Sequence, residues 1–206
     1  GHVDLSYKNL TKIPIQFGRV NGNFLCGYNK LTTLQGVPHK VSGNFECNDN
    51  KITSLQGAPQ VVGKNFDCSF NQLTTLQGAP KKVSSSFACN NNRLISLESA
   101  PKIVKGNFWC ENNELTTLQG APRKIGGGFY CHYNKLTTLQ GAPQYVGGNF
   151  MCSFNKLTTL KGAPREVGGD FLCTNNAKQF TKANVRSVCE VKGDIYIKII
   201  YKEITK

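Results

Sequence analysis

The sequence has little of what most enzymes and membrane proteins need. Its 206 residues include three histidines, and these lie far apart along the chain, at His2, His39 and His132. No apolar run approaches the roughly 18 residues that predict a membrane span. No secretory signal is visible, and the start at Gly1 without a methionine suggests processing or a cloning remnant. We therefore expect no membrane association and find no histidine-based catalytic group.

Motifs for metal and phosphate binding are also missing. No Cys-x-x-Cys pair or Cys/His cluster has the spacing of a zinc site. The run Gly126-Gly127-Gly128 precedes a predicted strand, so a tight turn explains it without a phosphate. Eight of the nine cysteines recur at one place in a repeat, which predicts an inward column of free thiols and an intracellular, reducing location. Cys189 alone leaves the register and is predicted to be a buried cap residue. We expect a non-enzymatic protein without a cofactor or metal.

What the sequence does have is a phenylalanine every 21 residues. A cysteine follows each phenylalanine two positions later, and an asparagine follows three positions after that. The eight phenylalanines, which number the regular coils 1 to 8 below, are Phe24, Phe45, Phe66, Phe87, Phe108, Phe129, Phe150 and Phe171. Eight copies in register without an insertion predict a solenoid. The repeated positions build the fold, so function is expected at the positions that vary.

Each repeat predicts one strand and one bend. In coil 7, Phe150 and Cys152 alternate with polar or variable residues, which predicts a short strand with both side chains inward. Asn155 follows at the bend, where its amide can bind exposed backbone groups and stack as a ladder with its equivalents. Two leucines then line the core. The Gly-Ala-Pro segment at 162–164 excludes a helix, and we expect extended or polyproline-like chain across the back.

The repeat resembles the leucine-rich repeat in its shortest form. Its pattern Val-x-x-x-Phe-x-Cys-x-x-Asn-x-Leu-Thr-x-Leu covers residues 20–176. With the ending Leu-x-Gly-Ala-Pro it is similar to repeats of bacterial type III effectors, and to those of proteins from large tailed bacteriophages. The resemblance implies a right-handed solenoid whose concave strand face binds a protein partner. It also implies a phage protein inside a bacterial cell that binds or inhibits a host protein, such as a defence factor.

The repeats predict a single domain over residues 1–206. Residues 1–20 form an N-terminal cap coil, 21–176 the eight regular coils, and 177–206 a C-terminal cap. Thr181 is predicted to cap a short helix at 182–188. Ile195 and Ile197 are expected in a tenth strand, and the tail to residue 206 is expected to cover the sheet edge. About ten parallel strands would make a sheet roughly 45 Å long.

The variable outward positions of the strands form the candidate binding face. Coils 5 to 8 carry large apolar and aromatic residues, which usually mark a contact surface, whereas coils 2 and 3 carry acids. Stacking that merely stiffens the sheet is the alternative explanation. The candidate partner-binding residues are Trp109, Tyr130, Met151, Leu172, Tyr133, Phe154, Tyr196, Glu111, His132, Glu46 and Asp67.

The net charge of +13 lies away from that face. Lysines and arginines follow the bend and the prolines, and we interpret them mainly as solubilising residues. These residues form two basic rows along the edges of the solenoid, and non-specific nucleic-acid binding by the two rows is a less favoured alternative. A structural or adhesive virion component is another. The sequence leaves monomer and homodimer open, and it does not identify the protein partner.

Overall fold

The computed structural model describes residues 1–198 and consists of a coil that repeats every 21 residues, with two short strands in each regular coil. In chain order the elements are β1 (Val3–Asp4), β2 (Arg19–Val20), β3 (Phe24–Leu25), β4 (Lys40–Val41), β5 (Phe45–Glu46), β6 (Val61–Val62), β7 (Phe66–Asp67), β8 (Lys82–Val83), β9 (Phe87–Ala88), β10 (Ile103–Val104), β11 (Phe108–Trp109), β12 (Lys124–Ile125), β13 (Phe129–Tyr130), β14 (Tyr145–Val146), β15 (Phe150–Met151), β16 (Glu166–Val167), β17 (Phe171–Leu172), α1 (Lys182–Arg186), β18 (Glu190–Val191) and β19 (Ile195–Tyr196).

The odd-numbered strands form a ten-stranded parallel sheet in the order β1-β3-β5-β7-β9-β11-β13-β15-β17-β19. Equivalent residues of successive coils pair directly, as Phe108 does with Phe129. This confirms the predicted sheet of ten parallel strands, including its edge strands near both ends of the described chain.

A second sheet was not predicted. The even-numbered strands β2 to β18 form a nine-stranded parallel sheet on the other side of the core. The segment after each proline is extended, as expected. Because every coil has the same length, neighbouring segments lie in register, Lys82 beside Ile103 for example, and their backbone groups pair rather than remaining open to solvent.

The core lies between the two sheets. The eight repeated phenylalanines are fully buried, and successive rings lie 5.1–5.9 Å apart. All nine cysteines within residues 1–198 are free and buried, as predicted for the column and for Cys189. Burial raises the pKa of these thiols, to about 12 at Cys26 and about 11 at Cys173.

The bend asparagines bind backbone groups as predicted. Asn113 Nδ2 donates to the carbonyl oxygens of Cys89 at 3.1 Å and Cys110 at 3.2 Å. Its Oδ1 accepts from the backbone N–H of Leu94 in the preceding coil at 3.0 Å. Each amide thus joins two coils at a bend where regular pairing ends, and equivalent bonds run from Asn29 to Asn176.

The helix of the C-terminal cap has its N-cap at Thr181, as predicted. The Thr181 hydroxyl accepts from the backbone N–H of Asn184, and the Asn184 side chain accepts from the backbone N–H of Thr181, which is a capping box. Helix α1 ends at Arg186, two residues before the predicted end. The predicted edge-covering tail at 199–206 lies outside the described residues. No helix within residues 1–198 is long and apolar enough to cross a membrane.

Candidate functional site

The outward side of the ten-stranded sheet, called the strand face below, carries four columns of side chains. Each column takes one residue from every coil at a fixed distance from the repeated phenylalanine. The ladder column lies one residue before it, and the central, middle and flank columns lie one, three and four residues after it. The ladder column is Asn23, Asn44, Asn65, Ser86, Asn107, Gly128, Asn149 and Asp170. The central column is Leu25, Glu46, Asp67, Ala88, Trp109, Tyr130, Met151 and Leu172, with Tyr196 after it. The middle column is Gly27, Asn48, Ser69, Asn90, Glu111, His132, Ser153 and Thr174, and the flank column is Tyr28, Asp49, Phe70, Asn91, Asn112, Tyr133, Phe154 and Asn175.

Strand pairing brings the predicted central-column residues together. Trp109 pairs with Tyr130, Tyr130 with Met151, Met151 with Leu172, and Leu172 with Tyr196. They form a continuous row across coils 5 to 8 and the cap. Each is half-buried rather than exposed, because the neighbours in the row cover one another. The indole of Trp109 stacks on Tyr130 with centroids 6.1 Å apart and an angle of 12°.

Gly128 gives Tyr130 the space it occupies. Along most of the ladder column a side-chain oxygen accepts from the backbone N–H of the next coil, as Asn107 Oδ1 does from Gly128 at 2.8 Å. A Cβ atom on Gly128 would lie 2.5 Å from the phenolic oxygen of Tyr130 and 2.7 Å from its ring. The glycine therefore ends the ladder locally and lets the ring lie across it. From the sequence this glycine was explained by a turn alone, and its contact with Tyr130 was not predicted.

The flank column has a backbone conformation that sequence reasoning did not detect. Every member has a positive φ, between 50° and 55° in coils 1 to 8, which suits asparagine and aspartate and costs about 1–2 kcal/mol for most other residues. Tyr133 and Phe154 adopt it while stacking at 4.4 Å. Phe70 also adopts it, is 49% exposed, and has no stacked ring among residues 1–198. Exposed aromatic side chains of the flank column therefore also occur outside coils 5 to 8.

The middle column is more buried than expected. Ser69, Ser153 and Thr174 are buried, whereas Glu111 and His132 are half-buried in adjacent coils beside the Trp109–Tyr130 stack. Within the described part of the chain, Glu111 Oε2 and His132 Nδ1 are buried atoms without a hydrogen-bond partner.

Burial also shifts the titration of these two groups. It raises the pKa of the Glu111 carboxyl to about 7 and lowers the pKa of the His132 imidazole. An unpaired buried polar atom costs about 1–3 kcal/mol, so Glu111 and His132 make the centre of the row locally unfavourable in this arrangement.

The acidic residues of coils 2 and 3 form a separate part of the face. Glu46 and Asp67 pair directly, and Ala88 separates them from Trp109 in the same column. Asp67 accepts from the Ser69 hydroxyl at 2.6 Å and Glu46 from Asn44 Nδ2 at 3.2 Å. Burial raises the pKa of both carboxyls. The structure thus leaves the predicted residues in two groups on one face.

The strand face carries no lysine or arginine in any of its four columns, although the chain contains 25. Three His, Cys, Asp or Glu side chains do not come together anywhere in residues 1–198 in a way that could hold a metal ion. The chemistry available on the face is therefore stacking, apolar contact and hydrogen bonding around a few carboxylates.

No protein-family model and no curated protein matches this chain. Among solved structures it is similar to the leucine-rich-repeat domain of a Shigella effector, with 15% identity, a TM-score of 0.58, and coverage of 94% of this chain and 81% of that one. YopM from Yersinia enterocolitica WA-314 matches with 16% identity and a TM-score of 0.33, over 90% of this chain and 53% of YopM.

The fold is therefore leucine-rich-repeat-like and resembles that of a bacterial effector repeat domain, as the sequence pattern predicted. At 15% identity the likeness concerns the fold alone. It gives no information about the residues of the strand face.

Proposed function

We propose that this chain is a non-enzymatic binding module that holds a protein partner on its strand face. The observation that carries the proposal is the row of large side chains in coils 5 to 8, centred on Trp109, Tyr130 and Met151 and free of lysine and arginine. Aromatic residues on a flat, partly dry surface are the usual anchors of protein interfaces.

The unpaired atoms of Glu111 and His132 support the same centre. Within residues 1–198, Glu111 Oε2 and His132 Nδ1 are buried without partners. Both side chains are only half-buried, so a rotation of either one would bring its polar atom to a backbone amide or hydroxyl of a bound protein. Binding would then remove the cost of an unsatisfied group, which makes such a contact favourable and selective.

The flanking residues extend the footprint to either side. Tyr133 and Phe154 lie beside the row in a strained conformation, and backbone strain in bulky residues is typical of functional surfaces. At the other end Glu46 and Asp67 suit a basic side chain of the partner, because the face around them has no cation of its own.

The cellular role rests on the resemblance of the repeat to those of tailed phages and bacterial effectors. We propose that the chain acts inside a bacterial cell, where its free thiols stay reduced, and that its partner is a host protein such as a defence factor. The chain would act by binding that host protein through the strand face.

An affinity pull-down from bacterial lysate, with and without phage infection, tests both parts. The wild type is compared with a Trp109→Asp/Tyr130→Asp variant, whose carboxylates would disrupt the centre of the row. A Gln119→Asp/Gln140→Asp variant is the matched control, because it adds the same charge to the same two coils at exposed turn positions. Circular dichroism and thermal melting establish that all three proteins fold.

A protein retained by the wild type and the control, and lost by the strand-face variant, is the expected result. Mass spectrometry then identifies it, and purified protein should bind with the same order of affinities. Equal retention by all three proteins would move binding off this face. Self-association in sedimentation, with no other protein captured, would favour a structural role instead.

A further inference from the structure

The second sheet has an outward surface that the strand-face proposal does not use. We propose that this surface is a separate binding site for the phosphate backbone of a nucleic acid. It is called the second-sheet strip below, and consists of the outward residues of β2, β4, β6, β8, β10, β12 and β14 with their immediate neighbours. Its cations are Arg19, Lys40, Lys64, Lys81, Lys82, Lys102, Lys105, Arg123 and Lys124.

The charge of this strip has a single sign. Residues 18–22, 39–43, 60–64, 81–85, 102–106, 123–127 and 144–148 contain no aspartate or glutamate. A solubilising surface normally mixes both signs, and a strip of one sign concentrates counter-ions and attracts a polyanion. The acids Glu166 and Glu190 close it at the C-terminal end.

The cations are also available. Eight of the nine are exposed, and the ninth, Lys40, is half-buried. Residues 1–198 contain two salt bridges, Lys135 with Glu114 and Lys192 with Glu166, and neither includes a member of the strip. None of these nine side chains is therefore ion-paired with a carboxylate of the described residues.

Register gives the strip a regular spacing. Parallel strands lie about 4.8 Å apart, so the seven strands extend over about 29 Å. One nucleic-acid strand places a phosphate about every 3.4 Å along a duplex axis, which makes the strip about eight nucleotides long. Direct pairing, as of Arg19 with Lys40 and of Lys82 with Ile103, keeps the outward side chains of successive coils in one line.

Exposed apolar residues alternate with the cations. Val61, Ile103 and Tyr145 occupy the same outward column as Lys82 and Lys124. Each stands alone between charged coils, and a bilayer would need a contiguous apolar face to insert. A base can instead stack on the one ring while phosphates meet the neighbouring lysines.

A shallow cleft beside that ring gives room for a base. It has a volume of about 430 Å³ and is lined by Lys124, Tyr145, Gly126 and Gly147, and at its C-terminal side by Glu166, which is ion-paired with Lys192. The glycines leave backbone as its floor, because a Cβ on Gly126 would collide with the Lys105 carbonyl oxygen and one on Gly147 with the Gly126 carbonyl oxygen.

The test measures fluorescence anisotropy with a labelled 15-nucleotide poly(dT) and a labelled 20-base-pair DNA duplex. A Lys82→Glu/Lys124→Glu variant reverses two charges in the strip. A Lys30→Glu/Lys156→Glu variant makes the same change in net charge at two exposed lysines that directly follow the bend asparagines. The first should weaken binding at least tenfold more than the second, and lower the slope of affinity against salt concentration.

Two further proteins and one further probe complete the test. Tyr145→Ala should weaken poly(dT) binding about fivefold, and an effect on poly(dT) alone assigns the site to single strands. The Trp109→Asp/Tyr130→Asp variant should bind nucleic acid as the wild type does, so failure here is distinguishable from failure of the strand-face proposal. Equal losses in the two lysine variants would overturn the inference. So would the absence of binding at 50 mM salt, or binding only to vesicles containing phosphatidylserine.

Discussion

The two sheets are built from the same coils with the same pairing, and yet their outward surfaces differ in charge and in side-chain size. The strand face has no lysine or arginine and gathers Trp109, Tyr130 and Met151. The second-sheet strip has nine cations and no acid through β14. Both surfaces are columns of outward strand residues with equivalent geometry, so the fold does not require this sorting. We therefore propose that the difference reflects what each surface contacts.

The core column common to both sheets should give the largest effect. Phe108 is fully buried and packs between two neighbouring rings, 5.2 and 5.4 Å away. Phe108→Ala should lower the free energy of unfolding by about 3–5 kcal/mol and weaken both binding activities together. Urea denaturation measures the first effect, with Phe108→Leu as a milder control. Loss of one activity alone would contradict a shared scaffold.

Gly128→Asn should damage the strand face only. The new side chain can accept the backbone N–H of Asn149 and extend the ladder, but its Cβ collides with the Tyr130 ring. We expect a cost of about 1–3 kcal/mol from overpacking, a changed emission of Trp109, and weaker partner binding. Fluorescence of this single tryptophan reports the change.

Ser86→Asn is the control for that substitution. It places the common asparagine at the same position of coil 4, where Ser86 Oγ already accepts from Asn107 N–H at 3.0 Å. Its emission spectrum should match that of the wild type. If Gly128→Asn also leaves the spectrum unchanged, the ring of Tyr130 does not depend on this glycine.

Glu111 should make the strand face sensitive to pH near neutrality. Its pKa is raised by burial from 4.5 to about 7, so the folded state disfavours the charged form. This cost is absent below about pH 4.5, grows as the pH rises, and is complete above about pH 7. Glu111→Gln should therefore stabilise the protein at pH 8.5, by about 1 kcal/mol after allowance for solvent screening, and not at pH 4.5.

Urea denaturation of both proteins at the two pH values measures this difference. Glu114→Gln, which changes an exposed glutamate of the same coil, should show no such growth with pH. A difference between wild type and Glu111→Gln that is the same at pH 4.5 and 8.5 would exclude titration of Glu111 in this range.

Phe70→Asn should have the smallest effect and tests the two halves of the strand face. Phe70 has a φ of 51° and is 49% exposed, and asparagine adopts that conformation at less cost. We expect a gain of about 0.5–1 kcal/mol. Tyr133→Asn, the comparison, also loses the stack on Phe154, worth a similar amount, and should be nearly neutral in thermal melts. Destabilisation by Phe70→Asn would assign that ring a structural role.

Much of the fold could be predicted because the inward residues repeat strictly. Phe, Cys and Leu return at one spacing, so their burial, the ten-stranded sheet and the role of Asn113 at the bend followed from the sequence. Thr181 was predictable for a different reason, since a hydroxyl before a helical segment is a local capping signal.

The second sheet was missed because its signal is weak. Each strand has two residues, one inward valine or isoleucine and one outward residue that ranges from Lys82 to Val61. The neighbouring proline and glycines predicted extended or polyproline-like chain, but nothing in one repeat indicated that these segments would pair between coils, which follows from in-register stacking of equal coils.

The places of the candidate residues on the strand face could be predicted from the sequence, and their surroundings only in part. The row from Trp109 to Tyr196 lies where the alternation placed it. Its half-burial, the space made by Gly128 and the unpaired Glu111 depend on contacts between coils. The positive φ of Phe70 and Tyr133 was hidden because bulky residues seldom adopt it.

The buried thiols place one chemical reporter in each regular coil. Every one of the eight lies inside the core, from Cys26 to Cys173, and can react with an alkylating reagent only when its own coil opens. Labelling rates followed by peptide mass spectrometry would therefore give an opening free energy for each coil along the stack. The native cysteines of this chain would therefore report, coil by coil, which parts of the solenoid open most readily.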